Sequence, residues 1–345
     1  MNITTVGIDL AKNVFSVHGV DAHGKVALKK TVSRGKLLDC FVNLPPCRIG
    51  MEACSGAHHW ARALRSLEHD ARIIAPRFVI PYRKRGKNDG NDAEAICEAV
   101  SRPAMRFVPV KSVEQQAVLS LHRIRRAVVA ERTAQINQIR GLLAEFGLIM
   151  PKGRYPAQHH IPDILEDADN GLPGLARRLL HDIYQRIHTL NQQVLAYDRE
   201  IEALARASDP ARRLMGVPGV GAVTATALVA SIADAKLFDN GRQLAAWLGL
   251  TPRQYSTGGK TRLGRITKQG DKYLRMLLIH GARSVLAALR DKPDRISCWL
   301  RELVARRGYK RAAVALAAKN ARIIWVLLTR GEDYRLQAGI QTASA

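Results

Sequence analysis

Thr4-Thr5-Val6-Gly7-Ile8-Asp9-Leu10 is followed two residues later by Asn13-Val14-Phe15-Ser16-Val17-His18-Gly19-Val20. Both runs are short and rich in β-branched residues, so both predict strands. Asp21-Ala22-His23-Gly24 supplies turn chemistry, and residues 26–32 predict a third strand. Beyond a short helix, residues 47–53 and 72–75 predict further strands, while 55–68 and 91–101 carry helical spacing. Three hairpin-joined strands followed by strand–helix units predict a mixed sheet covered by helices. The expected α/β domain spans residues 1–111.

The chain then changes character. Residues 112–146 and 175–207 carry apolar residues at helical spacing, and the Pro- and Gly-containing stretch 151–174 separates them. Over residues 112–207 this predicts an antiparallel helical hairpin or coiled-coil arm. Residues 208–345 read as mainly helical and basic, with no internal repeat. From 206 onward there are 25 Lys and Arg against 9 Asp and Glu.

Composition narrows the function. The 345 residues carry 54 Lys and Arg against 30 Asp and Glu, a formal net charge of +24. A surplus of that size points to a polyanionic partner, nucleic acid above all. Hydrophobic residues make up 47%, which excludes wholesale disorder. Five cysteines without a C-x-x-C pair fit reduced thiols better than a disulfide framework or a zinc ribbon. Ile323–Leu328 is bounded by Arg322 and Arg330, so no apolar run of membrane-spanning length is expected. The first residues lack the pattern of a secretory signal. A cytoplasmic location and no membrane partner are the expectation. His58-His59 and His159-His160 lack the spacing of a zinc site. Aromatics at 5% argue against a base-stacking platform.

Four acids stand out by position. Asp9 closes the first strand, Glu52 closes the fourth, and Asp89 and Asp92 open a helix three residues apart, which puts both on one face. Carboxylates gathered at strand ends and on a nearby helix suit one or two magnesium ions for phosphoryl transfer. The plainer alternatives are helix caps for Asp89 or Asp92, a turn residue for Asp9 and an exposed strand end for Glu52.

Two segments of the second half bear on the same chemistry. In Gly216-Val217-Pro218-Gly219-Val220-Gly221, glycines beside a helix start expose N–H groups to a phosphate, or else form a tight interhelical turn. Residues 253–275 hold Arg253, Lys260, Arg262, Arg265, Lys268, Lys272 and Arg275 against the single acid Asp271, around Ser256-Thr257-Gly258-Gly259. This reads as a flexible phosphate-approach loop with Ser256 as a candidate nucleophile. The arginines at 123, 125, 126 and 132 suit either RNA or a solvated helix face.

The strings G-I-D-L-A-K, M-E-A-C-S-G and K-N-D-x-x-D-A resemble the DEDD-type transposases of bacterial insertion sequences. Those enzymes are similar to Holliday-junction resolvases of the RuvC-like, RNase H-fold class. Residues 216–228 resemble a helix-hairpin-helix element, and 248–275 resemble the C-terminal transposase domain of the same family. The resemblance implies an RNase H-like domain holding magnesium through Asp9, Glu52, Asp89 and Asp92. It also implies a serine that attacks DNA to form a phosphoserine link, at Ser256 or at Thr257. Donor and target double-stranded DNA, a structured bridge RNA, and a dimer or tetramer are implied as partners. A hydrolytic junction resolvase and a non-enzymatic DNA-binding protein remain as rivals. An actin-like sugar kinase is excluded, because Leu10-Ala11-Lys12 replaces the Gly-rich phosphate turn it needs.

Overall fold

The computed structural model describes residues 2–84, 88–291 and 293–335. The chain divides into two compact units, residues 1–116 with 232–234, and residues 117–231 with 235–345.

The first unit is built on a six-stranded sheet. β1 (Ile3–Asp9), β2 (Val14–Asp21) and β3 (Val26–Ser33) form an antiparallel meander. β4 (Arg48–Glu52) pairs parallel with β1, and β5 (Asp70–Ile74) pairs parallel with β4. A short edge strand that the sequence did not suggest, β6 (Phe107–Val108), closes the order β3-β2-β1-β4-β5-β6.

Period-two alternation assigns the two faces. Val6, Ile8, Phe15, Val17, Ile49, Met51 and Ile73 are buried with Trp60, Ala61 and Leu64 of α1 (Ala57–Arg65). Phe15 and Trp60 meet edge to face at 5.3 Å. The short α2 (Pro76–Val79) follows β5, and Ile74 and Val79 pack with Ala95, Ile96, Ala99 and Val100 of α3 (Asp89–Ser101). Gly7 and Gly50, paired across β1 and β4, lie under α3. A Cβ on Gly7 would stand 2.2 Å from the Ala93 carbonyl oxygen, and one on Gly50 2.7 Å from Val100 Cβ. Only glycine lets the helix lie this close to the strands.

The second unit is mainly helical. α4 (Val113–Glu145) and α6 (Gly174–Ala207) run antiparallel. Arg125 meets Asp198 at 2.5 Å, Arg132 donates to Asn191 at 3.0 Å and Arg186 meets Glu131 at 2.8 Å. Ile136, Ile139 and Leu143 share a core with Leu180 and Ile187. The connecting stretch holds α5 (Arg154–Glu166) despite Pro162 within it, because buried Ile161 and Leu172 anchor it to that core. α7 (Asp209–Met215), α8 (Ala222–Ser231) and α9 (Gly241–Trp247) precede a two-stranded ribbon of β7 (Pro252–Gln254) and β8 (Leu263–Ile266). α10 (Lys272–Ala287), α11 (Arg295–Arg307) and α12 (Tyr309–Arg330) complete the described chain.

α12 corrects one expectation. It is long and apolar enough by composition to cross a membrane. Packing accounts for its composition, because Ala313, Leu316, Ala317, Ile324 and Leu327 are buried against neighbouring helices. Asn320, also buried, donates to the Pro218 carbonyl at 2.9 Å.

Candidate active site

The candidate site begins with parallel pairing. β1 and β4 lie side by side in the same direction, so their final residues, Asp9 and Glu52, emerge at one end of the sheet. Alternation puts both on the face that carries Gly7 and Gly50, where α3 lies. The first turn of α3 supplies Asp89 and Asp92. Neither is the helix cap. Asn88 takes that task, its side chain accepting from the Gly90 N–H at 2.9 Å.

Asp9, Asp89 and Asp92 each bring one carboxylate oxygen to within 4.8 Å of the others. A cation with oxygen ligands at about 2.3–2.6 Å spans that separation, so the trio fits a divalent ion. Burial raises the Asp9 carboxyl to about 6, helped by the charges of Asp92, Asp89 and Glu52. Unscreened like charges of this kind are what a bound cation would relieve. Glu52 lies outside the trio but is tied to it through Arg83. That guanidinium donates from Nη2 to Glu52 at 3.1 Å and lies 3.0 Å from Asp92 through Nε. Arg83 was missed in the sequence, and its signal was the cationic run leading into the acid pair. Lys87, first residue of the K-N-D string, lies outside the described residues. Among the described residues this is the one group of three metal-ligating side chains, and neither histidine pair belongs to it.

Ser256 belongs to the second unit and sits in a hairpin rather than a flexible loop. Thr257 and Lys260 bridge, the Lys260 N–H donates to the Thr257 carbonyl at 3.1 Å, and Gly258 and Gly259 have φ of +57° and +74°. Two successive positive φ values make a two-residue turn that glycine adopts without strain. Ser256 immediately precedes the turn, exposed, and accepts a hydrogen bond from Gln254 Nε2 at 2.9 Å. Arg253, Lys260, Arg262, Arg265 and Lys268 are exposed, and among the described residues none pairs with a carboxylate. The hairpin base is fixed by buried Arg275, which donates to the Leu248 and Gln269 carbonyls at 3.0 and 2.8 Å.

Gly219 and Gly221 lie between α7 and α8. Gly219 abuts the Gly281 backbone, where a Cβ would stand 2.6 Å from the carbonyl oxygen, so packing accounts for it. Gly221 faces open space.

Comparison with known proteins bears on this arrangement. A family described as "Transposase" matches residues 6–147, and one described as "Transposase IS116/IS110/IS902 family" matches 211–295. A "Probable family 20 transposase" of Pseudomonas aeruginosa is 51% identical over 97% of this chain and 99% of its own. The transposase for insertion sequence element IS1111A of Coxiella burnetii is 44% identical, covering 98% and 93%. That for IS1328 of Yersinia enterocolitica is 40% identical, covering 96% and 98%. The class is thus an enzyme that cleaves DNA and transfers its strands. The chain belongs to the IS116/IS110/IS902 family of insertion-sequence transposases.

Proposed function

We propose that this transposase moves its own insertion sequence by metal-dependent strand cleavage and exchange with a serine nucleophile, guided by a bridge RNA. The convergence of Asp9, Asp89 and Asp92, with Glu52 linked through Arg83, carries the proposal. The strand order, an antiparallel meander joined to parallel β4 and β5, supports an RNase H-like reading of the first domain. Magnesium held by Asp9, Glu52, Asp89 and Asp92 supplies charge stabilisation for the transferring phosphate and its leaving oxygen.

The remaining roles fall to the chain itself. Ser256 Oγ loses its proton and attacks the scissile phosphorus, the P–O bond to the deoxyribose leaving oxygen breaks, and that oxygen takes up a proton. The covalent phosphoserine conserves the bond energy that rejoining requires. Arg253, Lys260 and Arg262, exposed around the hairpin, oppose the developing phosphate charge. Thr257 is the alternative nucleophile, but its backbone closes the turn, whereas Ser256 precedes it. Residues 1–111 act as the catalytic domain, 112–207 as an assembly arm for a dimer or tetramer, and 208–345 as the serine-bearing domain. Base pairing by the RNA selects donor and target DNA, in the cytoplasm where the nucleoid lies. Gly221, which faces open space, adds a backbone contact to phosphate, while Gly219 sets the turn by packing.

Trapping the reaction on a phosphorothiolate substrate tests this reading. The wild type and Thr257→Ala form a protein–DNA adduct, Ser256→Ala does not, and Asp9→Asn binds DNA without cleaving it. The opposite serine–threonine pattern transfers the role to Thr257. Efficient cleavage without an adduct favours a hydrolytic nuclease.

A further inference from the structure

Arg83 is the counter-charge that the acid cluster already possesses. Its guanidinium enters from the rim, with a side chain 37% exposed, and holds two carboxylates that are each only 17% exposed. One contact goes to the end of β4 and the other to the first turn of α3, so Arg83 bridges the elements that carry the site. Each contact engages one oxygen of a carboxylate that would also serve a cation. Glu52 Oε1 and Asp92 Oδ1 are both committed to the guanidinium. Glu52 lies outside the group formed by Asp9, Asp89 and Asp92, and is paired with Arg83 instead.

We infer that Arg83 is a resident cation that a divalent ion displaces, and that the released guanidinium then contacts the DNA phosphate. Resting on the reading of the acids as a cation site, this assigns Arg83 a phosphate contact which that reading leaves out. Without the ion, Arg83 offsets part of the repulsion among four carboxylates, and its charge is spent inside the cluster. With the ion bound, Glu52 and Asp92 turn toward it and the guanidinium loses both partners. An unpaired arginine at the rim of a phosphoryl-transfer site is matched to phosphate by its forked donors. Lys84, the next residue, pairs with Glu94 of α3 at 2.6 Å, a contact separate from the two that Arg83 makes. Arg83 thereby makes DNA contact at the cleavage site conditional on a loaded metal site.

The test uses the full chain, Mn2+ as the probe ion, and the variants R83Q, R83K and D9N. Mn2+ affinity is read by calorimetry and by the paramagnetic signal of the free ion. R83Q binds Mn2+ about fivefold more tightly than the wild type, the size expected for two partly exposed ion pairs that no longer compete. R83K, which keeps the charge but offers no fork, shows the same direction at smaller size and stands in should R83Q fold poorly. Binding of a non-specific duplex is then compared in Ca2+ and in chelator. R83Q weakens it several-fold in Ca2+ and leaves it unchanged in chelator. Mn2+ binding by R83Q that is equal to or weaker than wild type overturns the exchange, as does a loss of DNA affinity that is the same in both conditions. If D9N binds Mn2+ as the wild type does, the acid-site reading itself fails, which separates that failure from this one.

Discussion

His122 has both ring nitrogens engaged, Nδ1 at 3.0 Å from the Tyr273 hydroxyl and Nε2 at 3.0 Å from Thr226 Oγ1. Thr226 Oγ1 donates to the Ala222 carbonyl at 2.8 Å, so it accepts from Nε2–H and leaves Nδ1 to accept from the tyrosine. The imidazole is thus neutral, and burial, with the charge of Arg125, lowers its pKa to about 4. A depressed histidine stabilises the fold fully above its ordinary value of 6.5, and that contribution is lost as pH falls toward 4. Between pH 7 and pH 4 the second unit should therefore lose on the order of 2 kcal/mol through this residue. Denaturant melts of the wild type against His122→Gln at both pH values check it, the variant showing the shallower pH slope. Sequence singled out the four acids because strand ends and an i,i+3 spacing are local facts. His122 escaped it because its partners lie 104 and 151 residues away, and Arg83 because its tie to Glu52 spans 31 residues and its tie to Asp92 joins a loop to a helix turn.

At the scale of elements, two contacts control the geometry of the chemistry. Gly7 lets α3 settle onto β1, and a Cβ there would meet the Ala93 carbonyl at 2.2 Å and the Cys97 nitrogen at 2.4 Å. These are backbone atoms and cannot rotate away. Gly7→Ala should therefore lift α3 and cost about 1–3 kcal/mol, the range of overpacking a tight core. It should also weaken Mn2+ binding, because Asp89 and Asp92 move with the helix while Asp9 stays on the strand. Thermal melting and calorimetry on one preparation read both effects. The hairpin base is the other contact. Arg275→Met strands the Leu248 and Gln269 carbonyls, costs about 1–3 kcal/mol, and should lower the yield of the Ser256 adduct. The larger strands and helices were legible from β-branched runs and helical spacing. The hairpin was not, because a segment dense in Gly, Lys and Arg reads as loop until Arg275, from the following helix, ties its ends together.

Across the whole molecule the dominant quantity is charge. A surplus of +24, most of it beyond residue 205, makes duplex binding an exchange of counterions for lysine and arginine. With about six phosphate contacts, affinity should fall on the order of a thousandfold between roughly 50 and 200 mM salt. Ribonuclease treatment should abolish target discrimination while sparing this non-specific binding. A filter-binding titration across salt, with and without ribonuclease, measures both.

Sequence by itself determined the α/β character of the first part, the helical basic character of the rest, the family resemblance and the acids to be tested. Each of these is written in neighbouring residues or in totals over the chain. Tertiary structure alone decided that Arg83 stands between Glu52 and Asp92, and that α12 spends its apolar length on a core. The physical reason is range. Periodicity and capping are set within a turn or two of chain, whereas ion pairs, helix-to-sheet distance and burial depend on residues brought together only when the sheet and bundle close.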